Sequence, residues 1–155
     1  MVMSGRTPLR LAHLVLQVHV RSGEERRNES PTWAEVEAAI GGLDEAHLDQ
    51  VILTRWWPAA QGGQSVEDES LYVDGGARNR VVVTQMLELA QGTAFYQVVE
   101  RARGQVHEDG LMGQQTVDLP AMFWVTKDLA VAAARHFVEH GGRAPDLDWQ
   151  LDVIQ

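Results

Sequence analysis

Apolar residues recur along this chain at two spacings, every second position and every third to fourth, and the changes between them mark out its elements. From Leu9 to Val20 the residues Leu14, Leu16, Val18 and Val20 share one parity while Leu9, Leu11 and Val15 take the other. That pattern predicts a long strand covered on one face and partly on the second. The charged stretch RSGEERRNESP reads as a loop. Thr32 and Glu35 then stand at capping-box spacing ahead of Trp33, Val36, Ile40 and Leu43, which recur near the helical period, and Gly41 and Gly42 predict the stop.

Downstream, QVILTRWWP predicts a strand ended by Pro58, and AAQGGQSVEDES has loop composition. SLYVDGGARNRVVVTQML predicts two strands joined around Gly75 and Gly76, because glycine supplies the positive φ angles of tight connections. TAFYQVVE predicts a further strand, residues 101–120 one short strand within a long irregular stretch, and AMFWV another strand. Thr126 caps a second helix over Lys127 to His140, closed by Gly141 and Gly142 with Pro145 beyond, and DLDWQLDVI is extended. Strands joined mainly by hairpins, with two helices among them, predict one α+β domain over residues 1–155, a mostly antiparallel sheet carrying both helices on one face.

Composition narrows the function. The chain has 155 residues, 45% of them hydrophobic, and can bury a single core. Its 22 acidic residues against 13 basic give a formal net charge of -9, and Lys127 is its one lysine. A nucleic-acid binder needs the opposite balance, whereas an acidic surface favours encounter with a basic protein partner. With no cysteine there is no disulfide, thiol nucleophile or thiolate metal site, which suits the cytoplasm. The N-terminal apolar run is broken by Arg10, His13, Gln17 and His19, so neither a signal peptide nor a membrane span is expected.

One motif points to chemistry. His136, Glu139 and His140 spell H-x-x-E-H, the signature of an inverted zinc-peptidase helix. Two imidazoles one turn apart can converge on zinc with the glutamate as base. On a helical projection, Leu129, Ala130, Ala133, Ala134, Phe137 and Val138 form an apolar arc, Arg135 and Glu139 lie opposite, and the two histidines sit at the boundary. A catalytic zinc also needs a third ligand, and only Asp146, Asp148 and Asp152 remain among the 15 residues after His140. His136 and His140 are therefore assigned to packing and to the negative end of the helix dipole, with no metal or other cofactor expected. His13 and His19 lie roughly 20 Å apart along their strand and cannot share an ion. No nucleophile elbow, dinucleotide fingerprint or phosphate loop is present.

The remaining features favour binding. Trp56 and Trp57 are adjacent on a strand and must point to opposite faces, which makes Trp56 either an anchor for a partner or a residue covered by a loop. Glu67, Asp68, Glu69 and Asp74 form an acidic run with no base until Arg78, and Glu108 and Asp109 can extend it. Such a run is either a solvated loop or an edge that engages a basic catalytic cleft.

The segment LPAMFWVTKDLAVAAARHFVEHGGRAPDLDW resembles the closing part of immunity protein family 1 of bacterial polymorphic toxin systems: an apolar strand (Phe123 to Val125), an alanine-rich helix ending in Phe137, then Gly141, Pro145 and Trp149. TWAEVEAAIGGLD and LYVDGGARNRVVVT are similar to that family's first helix and glycine hairpin, so the likeness runs from Trp33 to Trp149, strongest over 119–149 and weakest between Gln85 and Leu119, with residues 1–31 outside it. The resemblance implies a non-enzymatic antitoxin that binds a cognate secreted toxin, often a deaminase or other enzyme acting on nucleic acid, encoded beside it. Trp56, Glu67, Asp68, Glu69, Asp74, Arg78, Glu108 and Asp109 are the expected interface. Reversing the charges of Glu67 to Glu69 is expected to slow association without disturbing the fold. A zinc hydrolase using His136 and His140 and an oligomeric scaffold are the alternatives, and monomer and dimer both stay open.

Overall fold

A computed structural model describes residues 11, 13–20, 22–57, 66–89 and 92–154, with Trp57, Val66 to Asp68, Val153 and Ile154 described by backbone alone. The strands are β1 (Leu14–Val20), β2 (Glu25–Glu29), β3 (Leu48–Trp57), β4 (Val66–Gly75), β5 (Arg80–Leu89), β6 (Gly92–Val98), β7 (His107–Met112), β8 (Gln115–Pro120), β9 (Val125–Thr126) and β10 (Trp149–Ile154). The helices are α1 (Trp33–Gly41) and α2 (Lys127–His140). Eight strands form one sheet in the order β10-β6-β5-β4-β3-β1-β2, with β9 paired to β5, and β7 and β8 form a separate hairpin. Every pairing is antiparallel, which gives the expected α+β architecture.

Alternation along the strands sorts residues onto two faces. Leu16, Leu53 and Leu71 are successive cross-strand partners, as are Val18, Val51, Val73 and Val83. They meet Val36 and Ile40 of α1 and Ala130, Ala133, Ala134 and Phe137 of α2 in one buried cluster. Both helices thus cover the same face, and the alanines let α2 lie close to the strands. Both caps are formed as the sequence predicts. Thr32 Oγ1 accepts from the Glu35 N–H at 3.1 Å while Glu35 Oε1 accepts from the Thr32 N–H at 2.9 Å. Thr126 Oγ1 accepts from the Leu129 N–H. Lys127 donates from Nζ to the Gly41 carbonyl at 2.9 Å, so the one lysine on α2 satisfies an orphan acceptor at the end of α1.

Four segments depart from the sequence reading. The charged stretch after β1 contains β2, whose outermost place in the sheet explains its composition: charge on a free edge blocks further pairing. The acidic run after Trp57 is strand from Val66 onward, with a register irregularity opposite Arg55 and Trp56. Residues 101–120 hold two strands, β7 and β8, joined by a two-residue turn in which Gly113 takes φ 61. Residues 121–123 of AMFWV form a single 3-10 turn, and β9 begins only at Val125. All five of those residues are buried whatever their parity, Met122 and Phe123 against Val99 in a second small cluster. Pro58, Leu9, Arg10 and Ala12 lie outside the described residues, and the first strand begins at Leu14, with Leu11 and His13 outside it.

Candidate functional site

No described helix covers the second face of the sheet, although much of that face is buried. Its residues are mixed: Gln50, Ile52 and Thr54 on β3, Ser70, Tyr72 and Asp74 on β4, Val82, Thr84 and Met86 on β5, and Phe95 and Gln97 on β6. Polar members pair across strands, Thr54 with Ser70 at 3.3 Å and Gln97 Nε2 donating to Thr84 Oγ1 at 3.3 Å. The β7–β8 hairpin lies over one end of this face and encloses with it a groove of about 420 Å³, walled by Tyr72, Met86, Phe95, Met112 and Val117, with Gln50, Asp74, Thr84, Gln97, Gln115 and Asp152 supplying the polar atoms.

Several contacts hold the hairpin in place. The Gly113 N–H donates to Asp74 Oδ1 at 2.8 Å and the Leu111 N–H to Glu45 Oε1 at 2.6 Å. The Trp124 indole lies beneath Gly110, where a Cβ would come within 2.2 Å of the ring, and its Nε1 donates to the Glu108 carbonyl. Arg103 closes the base, donating to the carbonyls of Ala121 and Trp124 and to the Glu108 carboxylate at 2.8 Å.

Asp74 is 1% exposed. Its Oδ1 also accepts from Gln50 Nε2 at 2.7 Å. Burial outweighs both hydrogen bonds, and with Asp49 nearby it pushes the Asp74 carboxyl up to about 6.

The eight residues expected at an interface divide into two groups. Asp74, Arg78, Glu108 and Asp109 gather at the hairpin, with Arg78 Nη2 donating to the Asp109 carbonyl at 3.1 Å. Trp56 and Glu67 are cross-strand partners at the opposite ends of β3 and β4, with Asp68 and Glu69 beside them, about 20 Å away at ordinary strand rise. Three of the acids turn inward. Glu69 lies on the helix-covered face, where it pairs with Arg55, takes the Gly142 N–H at 3.1 Å and accepts from Gln85 Nε2, while Arg55 caps the Phe137 carbonyl at the end of α2. Glu108 is bound by Arg103, and Asp74 by Gln50 and Gly113. Reversing Glu69 would therefore damage the fold, contrary to the expectation for the triple charge reversal. Asp109 is exposed, and half-buried Trp56 meets the edge of His13 with ring centroids 4.9 Å apart. The side chains of Glu67 and Asp68 lie outside the described part.

His136 and His140 sit side by side, ring centroids 4.9 Å apart, and Glu139 is held by Arg135. Among the described residues no group of three His, Asp or Glu side chains is placed to hold a metal ion. No described helix is long and apolar enough to cross a membrane.

Sequence reasoning missed the groove, because its lining comes from five strands and a hairpin. The available signal was the mixed parity class of β5 and β6, Thr84, Met86, Phe95 and Gln97, too polar for a core and too apolar for a solvated face. Comparison with curated proteins finds no match. The sequence does match the family described as Immunity protein Imm1 over residues 24–151, most of its length, and the chain belongs to that family.

Proposed function

We propose that this protein neutralises a cognate bacterial toxin by stoichiometric binding in the cytoplasm, performs no chemistry of its own, and docks through the grooved face of its sheet and the rim of the β7–β8 hairpin. The observation that carries the reading is the groove on the second face of the sheet, walled by the half-buried side chains of Tyr72, Met86, Phe95, Met112 and Val117. Such a surface is costly to leave wet and adapts readily to a partner.

Charge adds direction. A net charge of -9 steers the protein toward a basic surface, as found in the cleft of a deaminase or nuclease that acts on nucleic acid, and disfavours nucleic acid itself as a ligand. Asp109 and Asp118 on the outer side of the hairpin and Asp152 at the groove are exposed and available for that encounter. Trp56, with Glu67 and Asp68 alongside, is a second contact region at the far end of the same two strands.

The test is co-purification with the product of the reading frame adjacent to the gene, followed by a toxin assay. A one-to-one complex that abolishes toxin activity is the expected result. A neighbouring product that neither binds nor is inhibited would remove the reading.

A further inference from the structure

The groove has walls but no counter-ion. Met86, Phe95, Met112 and Val117 supply apolar surface, Asp74 and Asp152 supply two carboxylates, and no lysine, arginine or histidine is among the lining residues. Asp74 takes both of its hydrogen bonds, from Gln50 and Gly113, on Oδ1. The side chain borders the groove. A carboxylate 1% exposed at the edge of a cavity is in an expensive position, and a cation with N–H donors relieves it.

Size and shape limit what can enter. A volume of about 420 Å³ is toward the lower end of cavities that take small ligands, roughly 300–1,000 Å³. It suits one long side chain and not a helix. Arginine matches best: its aliphatic stem covers thioether and ring carbon, its planar head stacks on aromatic faces, and its fork of donors fits a carboxylate.

We propose that the groove receives a single arginine side chain of the partner protein, threaded between Met86, Phe95 and Met112 with its guanidinium directed at Asp74 and Asp152. This rests on the toxin-binding reading and names the chemistry of its central contact. The ionisable groups around Asp74 are Asp49 on β3, Glu45 before it, and Tyr72 and Asp152 in the groove wall; the hairpin contributes Met112, Gln115 and Val117, none of which titrates. None of these groups is a cation, so the site gains affinity as Asp74 ionises and binding strengthens as pH rises through about 6.

The probe is n-butylguanidinium, titrated into the full chain and followed by NMR at the Met86 and Met112 methyls and the Gly113 amide, with n-butylammonium and n-butanol alongside. Saturable shifts with the guanidinium, weaker ones with the ammonium and none with the alcohol are expected. Affinity should rise between pH 5 and pH 7 and fall about tenfold in Asp74→Asn, as for a charge-assisted contact made in a partly dry site. Asp152→Asn changes an exposed residue away from the hairpin anchor and should also weaken the guanidinium, which guards against a folding defect in the first variant. Shifts that never saturate, equal response to n-butanol, or unchanged affinity in both variants would overturn the assignment. A toxin bound equally well by wild type and both variants sinks the groove and leaves the immunity reading intact. Capture of n-butylguanidinium with no toxin bound does the reverse.

Discussion

The two faces of the sheet are made from the same strands by alternate residues, yet they solve different problems. On the helix side Leu53, Leu71, Val73, Val81 and Val83 are wholly buried, and the polar side chains that intrude there are paired: Glu69 with Arg55, Gln85 with Glu69 and Arg143, and Arg143 over the Tyr96 ring at 3.6 Å. On the other side Thr84 and Gln97 are buried and Met86 and Phe95 half-buried beside a groove that the β7–β8 hairpin helps to wall. The first face closes on the chain's own helices, whereas the second keeps a groove whose walls are half-buried.

The sharpest way to break that contrast is to truncate one phenylalanine on each side. Phe137→Ala empties the centre of the helix-covered core, and a loss of about 3–5 kcal/mol is expected in denaturant melts. Phe95→Ala, in the groove wall, should cost far less stability and instead weaken toxin binding. Similar melting losses for the two would mean that both faces serve the fold alike.

Asp74 gives the contrast a pH signature. Its folded-state value, about 6, lies above the ordinary 3.8, so the native state holds the proton more tightly than the unfolded chain. This group's contribution is fully present below pH 3.8, is lost as pH rises toward 6 and is constant above that. The shift corresponds to about 3 kcal/mol. Asp74→Asn keeps an acceptor for Gln50 and Gly113 but removes the titration, so the stability of the variant relative to wild type should rise by about that amount between pH 4 and pH 7. A difference that stays flat with pH would show that Asp74 is already ionised at no cost.

Next in size is the hairpin's seat. In Gly110→Ala the new methyl would meet the rigid indole of Trp124, and overpacking of this kind costs about 1–3 kcal/mol. The effect should be local: the Leu111 and Gly113 amides should exchange faster while the core strands β3 to β5 keep their protection.

How far the sequence revealed all this depends on the range of the forces involved. The helices were legible because their caps are local, with Thr32 bonding Glu35 and Thr126 bonding Leu129 three residues on. The core face was legible because Val51, Leu53, Leu71 and Val73 keep strict parity. β2 was hidden because an edge strand needs only main-chain pairing, and all five of its residues could be polar. β7 and β8 were hidden because each is only six residues long, and Leu111, Met112, Val117 and Leu119 are scattered among glycines, glutamines and acids without a sustained period. Among the site residues the acids were visible as a type but not by partner. That Arg55 would claim Glu69 follows from the register of β3 on β4, and that Gly113 would claim Asp74 follows from a turn 39 residues away in a hairpin the pattern did not reveal.

The smallest expected effect is also the one that most directly separates function from stability. Asp109 and Asp118 stand opposite each other in the hairpin register. Like charges in that position work against the pair by a few tenths of a kcal/mol, which His107, 3.3 Å from Asp118, offsets only when protonated. Asp109→Asn should therefore raise stability slightly and slow toxin association two- to threefold at low salt, with the difference vanishing at high salt because exposed charges act through a screened field. If association slows equally at all salt concentrations, Asp109 makes a direct contact instead, and the edge of the docking surface extends across the outer side of the hairpin.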